Sequence, residues 1–164
     1  MLRKVLGGND MSRKNLRLAG YDYSAVGCYF VTMCVRDKRK LLWSNVGANY
    51  VRPDLSDIGK VIDGEIQHLH AVYSCVSVDK YVIMPNHLHF IISITDDVSG
   101  RTQFAPTIGR IVKQFKGVVT KKIGYSIWQK SYHDHIIRNE TDYQRIWQYI
   151  DNNPASWQED CYYV

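Results

Sequence analysis

"YVIMPNHLHFIIS", residues 81–93, sets two histidines one residue apart inside an apolar run, directly after a Pro-Asn pair. The wider segment, Cys75 to Thr95, holds about twenty residues of strand-forming side chains, whereas strands typically run 3–10 residues. Proline also lacks the N–H that a central ladder requires. Pro85 presets φ and Asn86 tolerates bridge or left-handed geometry, so the pair predicts a tight turn. The segment therefore divides into two antiparallel strands, Cys75–Met84 and His87–Thr95, joined as a hairpin. A period of two then places His87, His89, Ile91 and Ser93 on one face and Leu88, Phe90, Ile92 and Ile94 on the other.

Upstream, "CYFVTMCVR" (28–36) alternates, with Tyr29, Val31, Met33 and Val35 on one face, and predicts a first strand. Leu55, Ile58, Val61, Ile62, Ile66 and Leu69 recur at helical spacing and predict a helix from Leu55 to Ala71. Gly59 and Gly64 weaken that helix intrinsically, so packing must hold it. Downstream of a polar loop at 96–106, Thr107 is placed to cap a second helix. This helix turns Ile108, Ile111, Val112, Phe115 and Val119 inward and Arg110, Lys113, Lys116 and Lys121 outward. "SIWQKSYHDHIIR" (126–138) reads as a further strand. "TDYQRIWQYIDNNP" opens with capping-box spacing from Thr141 to Gln144, and Pro154 stops its helix near Asn152. The order strand, helix, hairpin, helix, strand, helix predicts an α+β fold: an antiparallel sheet with a central hairpin, flanked by helices.

A chain of 164 residues with 45% hydrophobic content suits one domain, here residues 17–164. Residues 1–16 lack periodicity and contain Gly7, Gly8, Asn9 and Asp10, which predicts a loosely ordered basic arm. No stretch approaches the roughly 20 apolar residues of a membrane helix, and no continuous apolar segment follows the N-terminal basic residues. Neither a membrane span nor a secretory signal is expected. Cys28, Cys34, Cys75 and Cys161 form no CxxC pair and read as reduced core residues of a cytoplasmic protein.

The net charge is +5, and its distribution is more telling than its size. From Arg101 to Lys130 the chain carries Arg101, Arg110, Lys113, Lys116, Lys121, Lys122 and Lys130 without one Asp or Glu. Arg3, Lys4, Arg13, Lys14 and Arg17 form a second basic cluster. Segments of one sign attract polyanions, which makes nucleic acid a candidate partner, although either cluster alone is equally compatible with a solvated face.

The histidines narrow the chemistry. His68 and His70 fall in the first helix, where residues two apart point about 200° apart, so they do not converge on one ion. His133 and His135 lie on a predicted strand and can converge, but Asp134 between them points to the other face. His87 and His89 converge at the start of a strand, at an open end of the sheet. Their spacing alone fits a hydrogen-bonded pair at the sheet surface, since a metal needs at least three donors. The last helix offers a further donor: Tyr149 and Asn153 share one face with Asp142, Arg145 and Ile146, away from a more apolar stripe of Tyr143, Trp147 and Ile150. A surface tyrosine and a C-terminal cap are the ordinary readings of these two.

Taken in order, "MPNHLH", "IVKQFKG", "IWQKSYHDHIIRNETDY" and "YIDNNPASWQED", with "RLAGYDYSAVGCYFVTMCV" before them, resemble the HUH single-tyrosine transposases. The similarity is to the branch associated with repetitive extragenic palindromes (REPs) and runs from about Arg17 to Asp160. The resemblance implies a ferredoxin-like HUH endonuclease fold and a metal-dependent endonuclease and strand transferase acting on single-stranded hairpin DNA. By motif position it implies Tyr149 as nucleophile, His87 and His89 as ligands of a divalent metal, Mg²⁺ or Mn²⁺, and Asn153 as third protein ligand. Relatives usually carry glutamine at that last position. Arg110, Lys113, Lys116, Lys121 and Lys122, with Arg13, Lys14 and Arg17, are then expected to contact DNA, and the protein to associate with the nucleoid when bound. Monomer and homodimer are both compatible with these motifs.

Two other readings remain open from sequence. One is a non-catalytic nucleic-acid-binding module that stacks bases on Tyr29, Phe30 and Phe90. The other is a metal-dependent nuclease in which His133 and His135 join the site and water attacks.

Overall fold

A computed structural model describes residues 26–45, 54–95 and 106–164. The expected arm at 1–16, the basic residues Arg13, Lys14 and Arg17, and almost all of the 96–106 loop lie outside the described residues. The elements are β1 (Gly27–Cys34), α1 (Asp57–Val72), β2 (Val76–Ile83), β3 (His87–Ile94), α2 (Ile108–Ile123), β4 (His133–Ile137) and α3 (Glu140–Asn152). The strands form one antiparallel sheet in the order β2-β3-β1-β4. This βαββαβ order is the ferredoxin-like arrangement, here with α3 added after the last strand.

The alternation of the strands decides what each sheet face carries. Tyr29, Val31 and Met33 from β1 and Leu88, Phe90, Ile92 and Ile94 from β3 face α1 and α2 in the main core. Ile62, Ile66 and Leu69 of α1 and Ile111, Val112, Phe115 and Val119 of α2 close that layer. The opposite face carries Phe30 and Ile91, on which Ile146 and Ile150 of α3 are buried. β3 is thus apolar on one face and covered on the other, which explains its nearly unbroken burial.

Local chemistry sets the boundaries. Met84 N–H donates to the His87 carbonyl at 2.8 Å across the Pro85–Asn86 turn. Ser56 caps α1 by accepting from the Gly59 N–H, and Thr107 caps α2 by accepting from Arg110. Leu55, expected inside α1, instead bridges to Trp43. The α3 cap is Asn139, whose side chain accepts from the Asp142 N–H, so Thr141 sits within the helix and the expected capping box is displaced by two residues. The strand read across 126–138 is confined to His133–Ile137, preceded by a single bridge between Trp128 and Val35. Ile146 belongs to the buried stripe with Ile150, while Tyr143 and Trp147 pack at its edge.

Cys34 and Cys75 are buried as expected, whereas Cys161 is exposed. No helix among the described residues is long and apolar enough to cross a membrane.

Gly59 permits the close packing of α1. A Cβ there would lie 2.2 Å from the Leu42 carbonyl oxygen, a backbone atom that cannot rotate away. At Gly64 a Cβ meets nothing within 4 Å. The same substitution is therefore expected to act with opposite sign: Gly59→Ala destabilises by about 1–3 kcal/mol through overpacking, and Gly64→Ala stabilises by about 0.5–1 kcal/mol. Thermal or urea unfolding of the two variants checks both.

Candidate active site

The site lies on the α3 side of the sheet, where β3 leaves the Pro85–Asn86 turn. His87 and His89 are almost fully buried, and their Nε2 atoms are 3.0 Å apart. Each ring is held from behind through Nδ1. His87 Nδ1 lies 2.8 Å from Asn86 Oδ1, an obligate acceptor, so Nδ1 carries the proton and Nε2 a free lone pair. His89 Nδ1 lies 2.7 Å from Thr32 Oγ1, directly across the β1–β3 ladder. A proton donated from Nδ1 to that hydroxyl frees the second Nε2 as well. Asn86 is itself fixed, its Nδ2 donating to the Tyr162 carbonyl at 2.9 Å and the Lys38 carbonyl at 3.3 Å.

α3 delivers the tyrosine. Tyr143 donates to Asp79 Oδ2 at 3.1 Å, Lys80 of β2 pairs with Asp151, and His135 of β4 meets Asp142 at 2.7 Å. These anchors, with Ile146 and Ile150 beneath, set the rotation of the helix so that the Tyr149 hydroxyl lies 3.3 Å from His89 Nε2. Phe30 stacks on His89 with centroids 5.2 Å apart and meets Tyr149 edge-on at 6.1 Å. The phenol's pKa is raised by burial first, then by the negative charge of Asp160 and by Cys161, with the Asn153 amide opposing them.

Beyond α3 the chain turns back over the histidines. Trp157, fully buried, lies 5.9 Å from the His87 ring, and the Tyr162 ring lies 4.5 Å from it. Between them, Asp160 accepts from Asn153 Nδ2 at 3.0 Å and from the Tyr162 N–H at 2.7 Å. Asp160 was not among the residues singled out in the sequence. No periodicity marks it, because it follows a one-turn 3-10 helix, Trp157–Glu159, and its only visible signal is an acidic residue just past the "NNP" stop.

Asn153 is buried, and its Oδ1 has no hydrogen-bond partner among the described residues. His87, His89 and Asp160 are the one group of three His, Cys, Asp or Glu side chains among those residues whose donor atoms lie within 4.8 Å of one another. Two Nε2 atoms 3.0 Å apart match adjacent ligands of one octahedral ion, for which bonds of about 2.1 Å give about 3.0 Å. The donor set therefore fits a divalent cation.

Other sequence expectations fall elsewhere. His68 and His70 are on α1, remote from this face, and exposed. His133 is exposed, and His135 is engaged by Asp142, so neither joins the cluster. Tyr29, Phe30 and Phe90 are 0%, 4% and 1% exposed, which removes the stacking platform that a non-catalytic binding module would need. The basic helix packs on the opposite sheet face from the histidines. Arg110, Lys113 and Lys121 are exposed there, Lys122 pairs with Glu65, and Lys116 donates to the Gln129 and Ser131 carbonyls at 2.8 and 2.9 Å. Lys116 thus ties α2 to the segment before β4.

Burial lowers the imidazole pKa of His89 to about 3 and that of His87 well below its ordinary value, the neighbouring His89 adding to the latter. Both rings are neutral when folded, while the unfolded chain protonates near pH 6.5. Below that pH the unfolded state binds more protons, so stability of the metal-free protein is expected to fall by up to about 1.4 kcal/mol per pH unit for each histidine. Urea unfolding in chelator between pH 7 and 5 reads the slope, and His89→Gln should remove roughly half of it.

No family model matches the chain. An uncharacterized protein of Haemophilus influenzae is 35% identical over 171 aligned residues, covering 93% of each chain. A second protein of that organism, named as a candidate REP-associated tyrosine transposase, is 22% identical over 82% of this chain and 73% of its own. The REP-associated tyrosine transposase of Escherichia coli K12 is 32% identical over 48% of this chain and 44% of its own. Among solved structures, a REP-associated tyrosine transposase bound to a REP hairpin superposes with a TM-score of 0.54 at 24% identity, covering 86% of this chain and 74% of that one. With the ferredoxin-like sheet and the order of motifs along it, these relatives support the REP-associated tyrosine transposases as the family that the chain resembles.

Proposed function

We propose that the protein cuts and rejoins single-stranded DNA at palindromic hairpins, with Tyr149 as the attacking group. The observation that carries this reading is the convergence of the Tyr149 hydroxyl, 3.3 Å from His89 Nε2, on two imidazoles whose Nε2 atoms are 3.0 Å apart. A hairpin substrate is supported by the REP hairpin bound to the structural relative.

In this mechanism Tyr149 Oη attacks the scissile phosphorus, the new P–Oη bond replaces the bond to the 3′-oxygen, and the released 3′-oxygen takes up a proton. The DNA keeps a 5′-phosphotyrosyl link whose energy is retained for rejoining by the reverse step. His87 and His89 would hold Mg²⁺ or Mn²⁺, with Asn153 as the third residue that the motif order implies, and the ion would polarise the scissile phosphate as a Lewis acid. Asn86 and Thr32 keep both Nε2 lone pairs turned to the site. The Asn153 amide favours the phenolate, against the burial and the Asp160 charge that oppose it. Trp157 and Tyr162 exclude water beside His87.

Arg110, Lys113, Lys121 and Lys122 contact phosphates of the hairpin or its flank away from the cut, since the sheet stands between α2 and Tyr149. Arg13, Lys14 and Arg17 are assigned to the same role from sequence alone. Such a protein works where the chromosome is, in the cytoplasm and on the nucleoid.

The test is incubation of the protein with single-stranded hairpin DNA and Mn²⁺ or Mg²⁺, followed by a denaturing gel. A covalent complex is expected that disappears in Tyr149→Phe and on chelation. It should form at least about 100-fold more slowly in His87→Ala, the loss of about 2.7 kcal/mol or more of transition-state stabilisation. Cleavage that survives Tyr149→Phe would mean that water is the nucleophile.

A further inference from the structure

We infer that Asp160 is the third protein ligand of the His87–His89 metal site and that the Asn153 amide orients it. This rests on the metal reading above and changes which residue completes the ion's protein ligands. The Asp160 side chain is 2% exposed, and its Oδ2 lies 3.9 Å from His87 Nε2, beyond hydrogen-bond range. Among the described residues no lysine or arginine forms an ion pair with it. A buried carboxylate with no cation on it is costly, and a divalent ion seated between it and the imidazoles removes that cost.

The geometry agrees. The three donor atoms lie within 4.8 Å of one another, so one ion can reach all of them with little side-chain movement. Two imidazole nitrogens and one carboxylate oxygen are an ordinary divalent-metal donor set, with positions left open for substrate oxygens. The Tyr162 N–H on Oδ1 and Asn153 Nδ2 on Oδ2 fix the carboxylate plane. Asn153 therefore presents its donor end to the site's carboxylate, which is what a positioning residue does for an anionic ligand.

The experiment is isothermal titration of the metal-free full-length chain with MnCl₂ and no DNA, comparing wild type with Asp160→Asn, Asp160→Glu and Asn153→Ala. Circular dichroism and thermal melting establish that each variant is folded. One Mn²⁺ per chain is expected for wild type. Asp160→Asn, nearly isosteric, should bind more than about 100-fold more weakly, Asp160→Glu should recover part of the loss, and Asn153→Ala should lose only about tenfold. Unchanged Mn²⁺ affinity in folded Asp160→Asn overturns the inference, as does a larger loss in Asn153→Ala than in Asp160→Asn. A wild type that binds no Mn²⁺ overturns it together with the metal part of the proposed function. Mn²⁺ binding that depends on Asp160, in a protein that forms no covalent DNA complex, upholds this inference and overturns the transesterification reading alone.

Discussion

The register between β1 and β3 is the constraint on which the site depends. It sets Thr32 opposite His89 and Cys34 opposite His87, so the histidines share a face with Thr32 and Phe30 while Leu88 and Phe90 turn into the main core. Because side chains alternate with a period of two, a slip of one residue would drive both imidazoles among the side chains of α1 and α2 and bring Leu88 out beneath α3. Two neutral, buried rings are tolerable only where each Nδ1 finds a partner, and this register supplies one of those partners, Thr32. The Pro85–Asn86 turn supplies the other and starts the strand at the right residue.

Everything else brings chemistry to that pair. α3 lies across the exposed half of the sheet because Ile146 and Ile150 need Phe30 and Ile91 beneath them. Anchors to β2 and β4 then fix its rotation and aim Tyr149 at His89. The chain past Asn152 folds back to set Trp157 and Tyr162 against His87 and to insert a carboxylate beside it. The result is a phenol, two imidazoles, an amide and a carboxylate in a largely desolvated pocket, drawn from segments far apart in the chain.

The hairpin, its two faces and the cap at Thr107 were legible because period, proline position and side-chain chemistry act locally, whereas the cap of α1 fell to Ser56, inside the expected helix. The convergence of His87 with His89 followed from period alone; that Tyr149 meets them depends on how α3 packs, which the order of motifs suggested and no spacing rule could supply. Asp160 was invisible for the same reason: it reaches the site through a short irregular return. The basic segment was legible as a charge run but not as a position, since a run of one charge says nothing about which side of a sheet it will occupy. Its Lys116 is spent on backbone carbonyls, and its exposed members face away from Tyr149. The capping box at Thr141 failed because Asn139, two residues earlier, offers a better-placed side-chain acceptor at the true start of α3.

The central claim is that Tyr149 forms the covalent bond to DNA within the His87–His89 site. Mass-spectrometric mapping of the protein after reaction with hairpin DNA, nuclease trimming and proteolysis tests it most directly. A nucleotide 5′-phosphate mass on the peptide containing Tyr149, localised to that residue, is the predicted result. A nucleotide adduct on Tyr143, Tyr162 or another residue, with Tyr149 unmodified, would contradict it.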